Sequence, residues 1–203
     1  MHKVIITSPS LDPSQTVSGI SSVAQFIISN NKEVEYVHFE VGKRDSEPGG
    51  RLNRIMRIIR YCRDWSTCLK DNTTSIVHYN MPLMAGAIIR DFMLIRSAHK
   101  SGNSIVLHVH GGSYMKQRNR PWYIKMLLCK IFSWSSHVVV LSDSEKEILE
   151  EDFGLSEVNI LPNCIDLSLA RNFKKEHLAD TPISILYIGR IEANKGIDYI
   201  YKA

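Results

Sequence analysis

Apolar residues occur along this chain in two rhythms. Short runs rich in Val and Ile mark strands: Val4, Ile5, Ile6 and Thr7; Ser75, Ile76, Val77, His78 and Tyr79; Ile105 to Val109; His137 to Leu141. Residues 34–41 alternate in the manner of a strand, and Val158, Asn159, Ile160 and Leu161 form a last short run before Pro162. Between the runs the spacing changes to three and four. Ile20, Val23, Ala24, Ile27 and Ile28 predict a helix from about Gly19, and Leu52, Ile55, Met56, Ile59 and Cys62 an amphipathic one over 51–69. Further helices are predicted over 84–99 and 122–134. Ser144, Glu145, Lys146 and Glu147 have the form of a capping box, opening a helix that stops at Gly154.

Strands that alternate with helices, several of them nearly continuous apolar runs, predict an α/β fold. The expectation is a Rossmann-like parallel sheet with helices on both faces. Ligands of such sheets bind beyond the carboxyl ends of the strands. That rule places residues 8–19, 78–81, 110–113 and 142–144 along one rim. Residues 1–166 make the first domain. Residues 167–182, with Lys174, Lys175, Glu176 and His177, form a polar linker, and 183–203 begin a new strand, turn and helix.

Composition narrows the partners only slightly. With 44% hydrophobic and 23% charged residues the 203-residue chain is ordinary globular material, and a formal charge of +4 permits an anionic ligand without demanding one. Cys62, Cys68, Cys129 and Cys164 show no paired spacing and are expected as reduced thiols, which fits a cytoplasmic protein. No apolar run approaches the length that spans a bilayer.

Four segments carry candidate chemistry. His108 and His110 share one face of a strand, and His110 sits where that strand yields to Gly111 and Gly112. A histidine there can orient a ligand near neutral pH; equally, the pair can be bonded to backbone at a sheet edge. A metal would need a third ligand, for which His78 is the nearest candidate, and no metal is expected. The loop from Ser14 through Ser18 to Gly19 enters a helix, which suits either phosphate or a plain Ser18 N-cap. Arg190 and Lys195 flank a turn after a strand, as a diphosphate clamp or as ordinary surface cations. Basic and aromatic residues gather on two helical regions, one with Arg51, Arg54, Arg57, Arg60 and Arg63, the other with Lys116, Arg118, Arg120, Trp122, Tyr123, Lys125 and Lys130. A solvated face explains them; a surface for anionic lipid is the sharper alternative. No nucleic-acid motif is present, and without a G-x-G-x-x-G after the first strand a nicotinamide enzyme is disfavoured.

Taken in order, these segments resemble the family-4 glycosyltransferases of the GT-B fold. The likeness rests on the Gly-bearing loop after the first strand and on the strand ending at His110 and Gly111. It rests equally on Val138 to Ser142 leading to Pro162, Asn163, Cys164, Ile165 and Asp166, and on Tyr187 to Ile191 followed by Asn194, Lys195, Gly196, Ile197 and Asp198. The resemblance implies two facing Rossmann-like lobes, the first for an acceptor and the second for a nucleotide sugar. Transfer would retain configuration, with neither metal nor cofactor. It makes His110 the catalytic histidine, Arg190, Lys195 and Gly19 the donor-phosphate residues, and Ser18, His78, Gly111 and Gly112 acceptor or cleft-lining residues. Asn163 and Asp166 are implied to be structural. Ser18 and Cys164 stand where the family usually has Gly.

The family's paired glutamates have no counterpart here, so 183–203 are expected to be the first piece of a truncated donor domain, loosely docked or poorly ordered. On that expectation the chain is inactive alone. The implied function is sugar transfer to a glycan or lipid-linked acceptor in cell-surface polysaccharide synthesis. The alternative is a stand-alone acceptor-binding subunit with a donor-domain partner chain. Peripheral contact with the inner face of an anionic membrane is compatible with either; nucleic acid is not an expected partner.

Overall fold

The structure, a computed structural model, describes residues 2–42, 44, 50–73, 75–117, 119–164, 167–168, 170–173, 186–188 and 196–202. Arg190, Lys195, Arg118, Asp166 and residues 183–185 of the expected final strand lie outside the described residues. The chain divides into two units, 1–165 and 166–203.

Six strands form one sheet in the first unit: β1 (Lys3–Ser8), β2 (Glu35–Glu40), β3 (Ile76–Met81), β4 (Ser104–Val109), β5 (His137–Val140) and β6 (Val158–Ile160). Their spatial order is β2-β1-β3-β4-β5-β6, and every pairing is parallel. The helices between them are α1 (Gly19–Asn30), α2 (Arg51–Asp71), α3 (Ala85–Lys100), α4 (Ser113–Lys116), α5 (Trp122–Trp134) and α6 (Asp143–Phe153). The predicted α/β architecture is therefore present, with α4 as an addition.

Right-handed crossovers explain the two-sided cover. The step from β1 to β2 runs opposite to every later step, so α1 lies on one face and α2, α3, α5 and α6 on the other. The second face holds the main core, where Ile5, Val77, Tyr79, Ile105, Leu107 and Val138 meet Trp65, Leu94, Leu128 and Leu149. Trp65 is fully buried, 4.7 Å from the Phe39 ring centre, and its indole N–H donates to the Leu94 carbonyl at 2.9 Å. That bond removes the cost of burying a donor. Tyr79 donates to buried Asp91 at 2.8 Å, and Arg90 Nε donates to the same oxygen at 2.7 Å. Burial pushes the Asp91 carboxyl up, against the pull of Arg90.

Three local readings change. The capping box lies two residues earlier than predicted: Ser142 accepts from the Glu145 N–H at 3.4 Å, and the Glu145 carboxylate accepts from the Leu141 N–H at 2.9 Å. Both Ser142 and Ser144 satisfy the pattern, and extended Ser142, next to β5, is the residue whose backbone suits a cap. The helix ends at Gly154 in the left-handed region, φ +66°. Arg120, grouped by sequence with surface cations, is only 3% exposed. It donates to the carbonyls of Tyr114 (2.6 Å) and Met115 (3.1 Å), pairs with Asp152 and lies over the Phe153 ring, tying the α4 segment to α6. The apolar stripe of α2 also differs in use. Tyr61, Trp65 and Leu69 are its buried side, while Leu52, Ile55, Met56 and Ile59 face solvent.

In the second unit Leu186 and Ile188 are exposed and carry no strand assignment, and α7 (Ile197–Lys202) forms a short helix.

Candidate active site

The strand order reverses between β1 and β3, which opens a crevice at their carboxyl ends. Thr7 and Asn80 occupy that point. The Asn80 N–H donates to Thr7 Oγ1 at 3.0 Å, and its side-chain amide nitrogen donates to the Thr7 carbonyl at 2.7 Å. Both residues are buried. With the amide nitrogen so committed, the amide oxygen must point the other way, and there it meets His110 Nε2 at 2.6 Å.

That contact sets the histidine tautomer. An amide oxygen only accepts, so Nε2 carries the proton and, in the neutral ring, Nδ1 carries the lone pair. His110 follows β4 directly, and its N–H donates to the Met81 carbonyl at 2.9 Å, extending the ladder by one residue. Its ring lies on His108, centroids 4.1 Å apart. His108 in turn meets His78, Nδ1 to Nε2 at 3.3 Å. The alternation of strand side chains explains the stack, because His78, Asn80, His108 and His110 all project to the face opposite the main core.

Burial holds all three rings neutral. It lowers His78 to about 4, with His108 adding to the effect, and His108 to about 4. His110 is lowered to about 3 by burial, then by His108 and His78. Lost solvation keeps each ring from charging, and neighbours of like potential charge add to it at His78 and His110.

The other predicted residues are distributed as follows. Gly111 and Gly112 follow His110 with φ of +57° and +120°. A Cβ on Gly112 would lie 2.5 Å from the Leu83 carbonyl oxygen, and that backbone is pinned by Leu83 N–H to Gly111 O (2.8 Å) and Tyr114 N–H to Leu83 O (3.0 Å). Gly112→Ala is therefore expected to cost about 3 kcal/mol of stability, read as a lower urea midpoint, through combined strain and overlap. An unchanged midpoint would contradict the close approach. Among the described residues neither glycine N–H donates a hydrogen bond; Gly111 is half-buried and Gly112 exposed. Ser18 precedes α1 in extended backbone but makes no side-chain cap bond, and the exposed Gly19 has nothing within 4 Å of its Cβ direction. His78 is mid-strand, below the rim, where it supports His108. Among the described residues no group of three or more His, Cys, Asp or Glu is placed to hold a metal ion.

Asn80 is the residue that sequence reasoning missed. The available signal was a polar side chain near the end of an apolar strand, two positions after His78 and so on its face.

A search of curated proteins found no match to the chain. The model of Glycosyltransferase Family 4 matches residues 4–169, which takes in all of the sheet but Lys3, and its rim. With the six-stranded parallel sheet of one GT-B lobe and a match over more than three quarters of its length, the chain belongs to glycosyltransferase family 4.

Proposed function

We propose that this chain transfers a hexosyl group from a nucleotide sugar to a glycan or lipid-linked acceptor, with residues 1–165 as the acceptor-side lobe, in cell-surface polysaccharide synthesis. The observation that carries the reading is His110, held at the sheet's switch point by Asn80 with its proton on Nε2. In the transfer an acceptor hydroxyl replaces the nucleoside diphosphate at the anomeric carbon. The bond to phosphate breaks, the bond to the acceptor oxygen forms, and the hydroxyl proton leaves on the diphosphate. Family resemblance supports retention of configuration.

Neutral His110 is suited to orientation rather than to charge. Its Nδ1 lone pair can accept from a hydroxyl of the donor sugar and fix the anomeric carbon. Neutralising the diphosphate falls to Arg190 and Lys195, carried over by resemblance, with the open amides at Gly19, Gly111 and Gly112 as neutral donors. Ser18 lines the acceptor side, and His78 braces the stack. The reading calls for no metal or cofactor. Nucleotide-sugar chemistry and four free cysteines fit a cytoplasmic setting.

A second reading, an acceptor-binding subunit that works with a separate donor-lobe chain, draws on the first unit's self-contained sheet and core. Residues 1–165 alone are expected to transfer no sugar without a donor-binding lobe. The test supplies the purified chain with labelled UDP- and GDP-sugars and extract from source cells lacking its gene. Label is expected in glycan or lipid-linked material only when the chain is added. Transfer by no donor, or transfer that ignores the chain, would contradict the proposal.

A further inference from the structure

The first half of α2 presents a helical stripe that the fold leaves unused. Leu52, Ile55, Met56 and Ile59 are spaced three and four apart and are between 55% and 75% exposed. The same helix is anchored from its opposite side by buried Tyr61, Trp65 and Leu69. An apolar stripe facing water opposes the usual sense of an amphipathic surface helix. Its flanks are basic: exposed Arg60 lies beside the stripe and Arg63 continues it by one turn. No acidic residue occurs from Arg51 to Arg63; the first is Asp64, which pairs with Arg63 at 3.1 Å.

Charge selects the occupant. A second copy packed about a two-fold axis would set this face against itself and bring a second Arg60 and Arg63 into the same interface, with no acidic residue from Arg51 to Arg63 to meet them. An anionic surface with an apolar interior satisfies both halves of the pattern, the arginines at headgroup level and the four apolar side chains just beneath. α2 follows β2 in a parallel sheet, so its exposed first half lies toward the strands' carboxyl ends, the same end as His110. We infer that the first half of α2 docks on an anionic lipid bilayer and so brings the His110 rim to an acceptor carried in that bilayer. Only the last clause rests on the proposed sugar transfer. Among the described residues no helix is long and apolar enough to cross a membrane, so the contact is peripheral.

The test is co-sedimentation of the full chain with vesicles of phosphatidylcholine alone or mixed with phosphatidylglycerol, at roughly 50 mM and roughly 500 mM salt. Binding is expected to the mixed vesicles at low salt and to fall more than about tenfold at high salt. Arg60→Gln with Arg63→Gln should weaken it by more than about tenfold. Ile55→Ser with Ile59→Ser should abolish it while leaving the circular dichroism of the helices unchanged. No binding to mixed vesicles at low salt would overturn the inference, as would equal binding to both vesicles by all variants. A concentration-dependent dimer that Ile55→Ser with Ile59→Ser dissolves would overturn it in favour of a second copy. Sugar transfer to a water-soluble acceptor is independent of all these arms, which separates failure of docking from failure of the proposed activity.

Discussion

Asn80→Ala is expected to lower kcat for sugar transfer by about a hundredfold with little change in KM, because it frees a ring whose orientation matters only when the donor is being attacked. In the native protein the Thr7 carbonyl fixes the amide, the amide oxygen fixes His110 Nε2–H, and Nδ1 is left as the acceptor. Alanine removes the middle link. It also removes the side-chain donor to the buried Thr7 carbonyl, at about 1 kcal/mol of stability, so melting must be followed alongside rate. A purely structural role would alter stability and leave the tautomer in place. Nitrogen-15 NMR of the imidazole distinguishes the two: Asn80→Ala should mix the tautomers. Asn80→Asp should keep the Nε2 proton and raise the proton affinity of His110, shifting the acid limb of the pH–rate profile upward. An Asn80→Ala protein with wild-type kcat and an unmixed tautomer would refute the positioning role.

Acid should destabilise the first unit before its carboxylates ordinarily titrate. Free histidine takes up its proton near pH 6.5, whereas His78 and His108 wait until about 4 and His110 until about 3. Between those limits the unfolded chain holds more protons than the folded one, so stability is full above pH 6.5 and falls as pH drops toward 4. Each histidine contributes a slope of about 1.4 kcal/mol per pH unit. Partial solvent contact of His78 and His110 trims the sum, and lowering pH from about 7 to about 5 is expected to cost about 4 kcal/mol. Asp91 works with the opposite sign, since its raised carboxyl favours the folded state at lower pH, but it is one group against these three and His38, whose proton affinity burial also lowers. Urea midpoints at the two pH values measure the loss, and His78→Gln with His110→Gln should flatten it. Equal midpoints would mean that the rings are already charged or well solvated.

The fold was legible because β-branched runs and three–four spacing leave little ambiguity in a parallel sheet buried on both faces. Strand order was not: nothing local in Glu35–Glu40 says that it pairs beyond β1 rather than with β3, a choice made by the handedness of crossovers. His110 stood out through the two glycines after it, yet its proton position depends on Asn80, thirty residues away and adjacent only once β3 and β4 pair. Charge misled at Arg120, because a guanidinium bonded to two carbonyls and a carboxylate has the same letter as one in water. Periodicity misled at α2 in a different way. It identified the helix, but the larger apolar count lay on the exposed side, and two aromatics and a leucine decided which side was buried.

Sugar transfer by the His110→Ala protein, assayed beside wild type with extract from cells lacking the gene, tests most directly whether His110 orients the donor. Chain-dependent incorporation is expected from wild type, with a loss of at least about a hundredfold in the variant and its melting temperature largely kept. Incorporation by His110→Ala at the wild-type rate would mean that the ring has no such role.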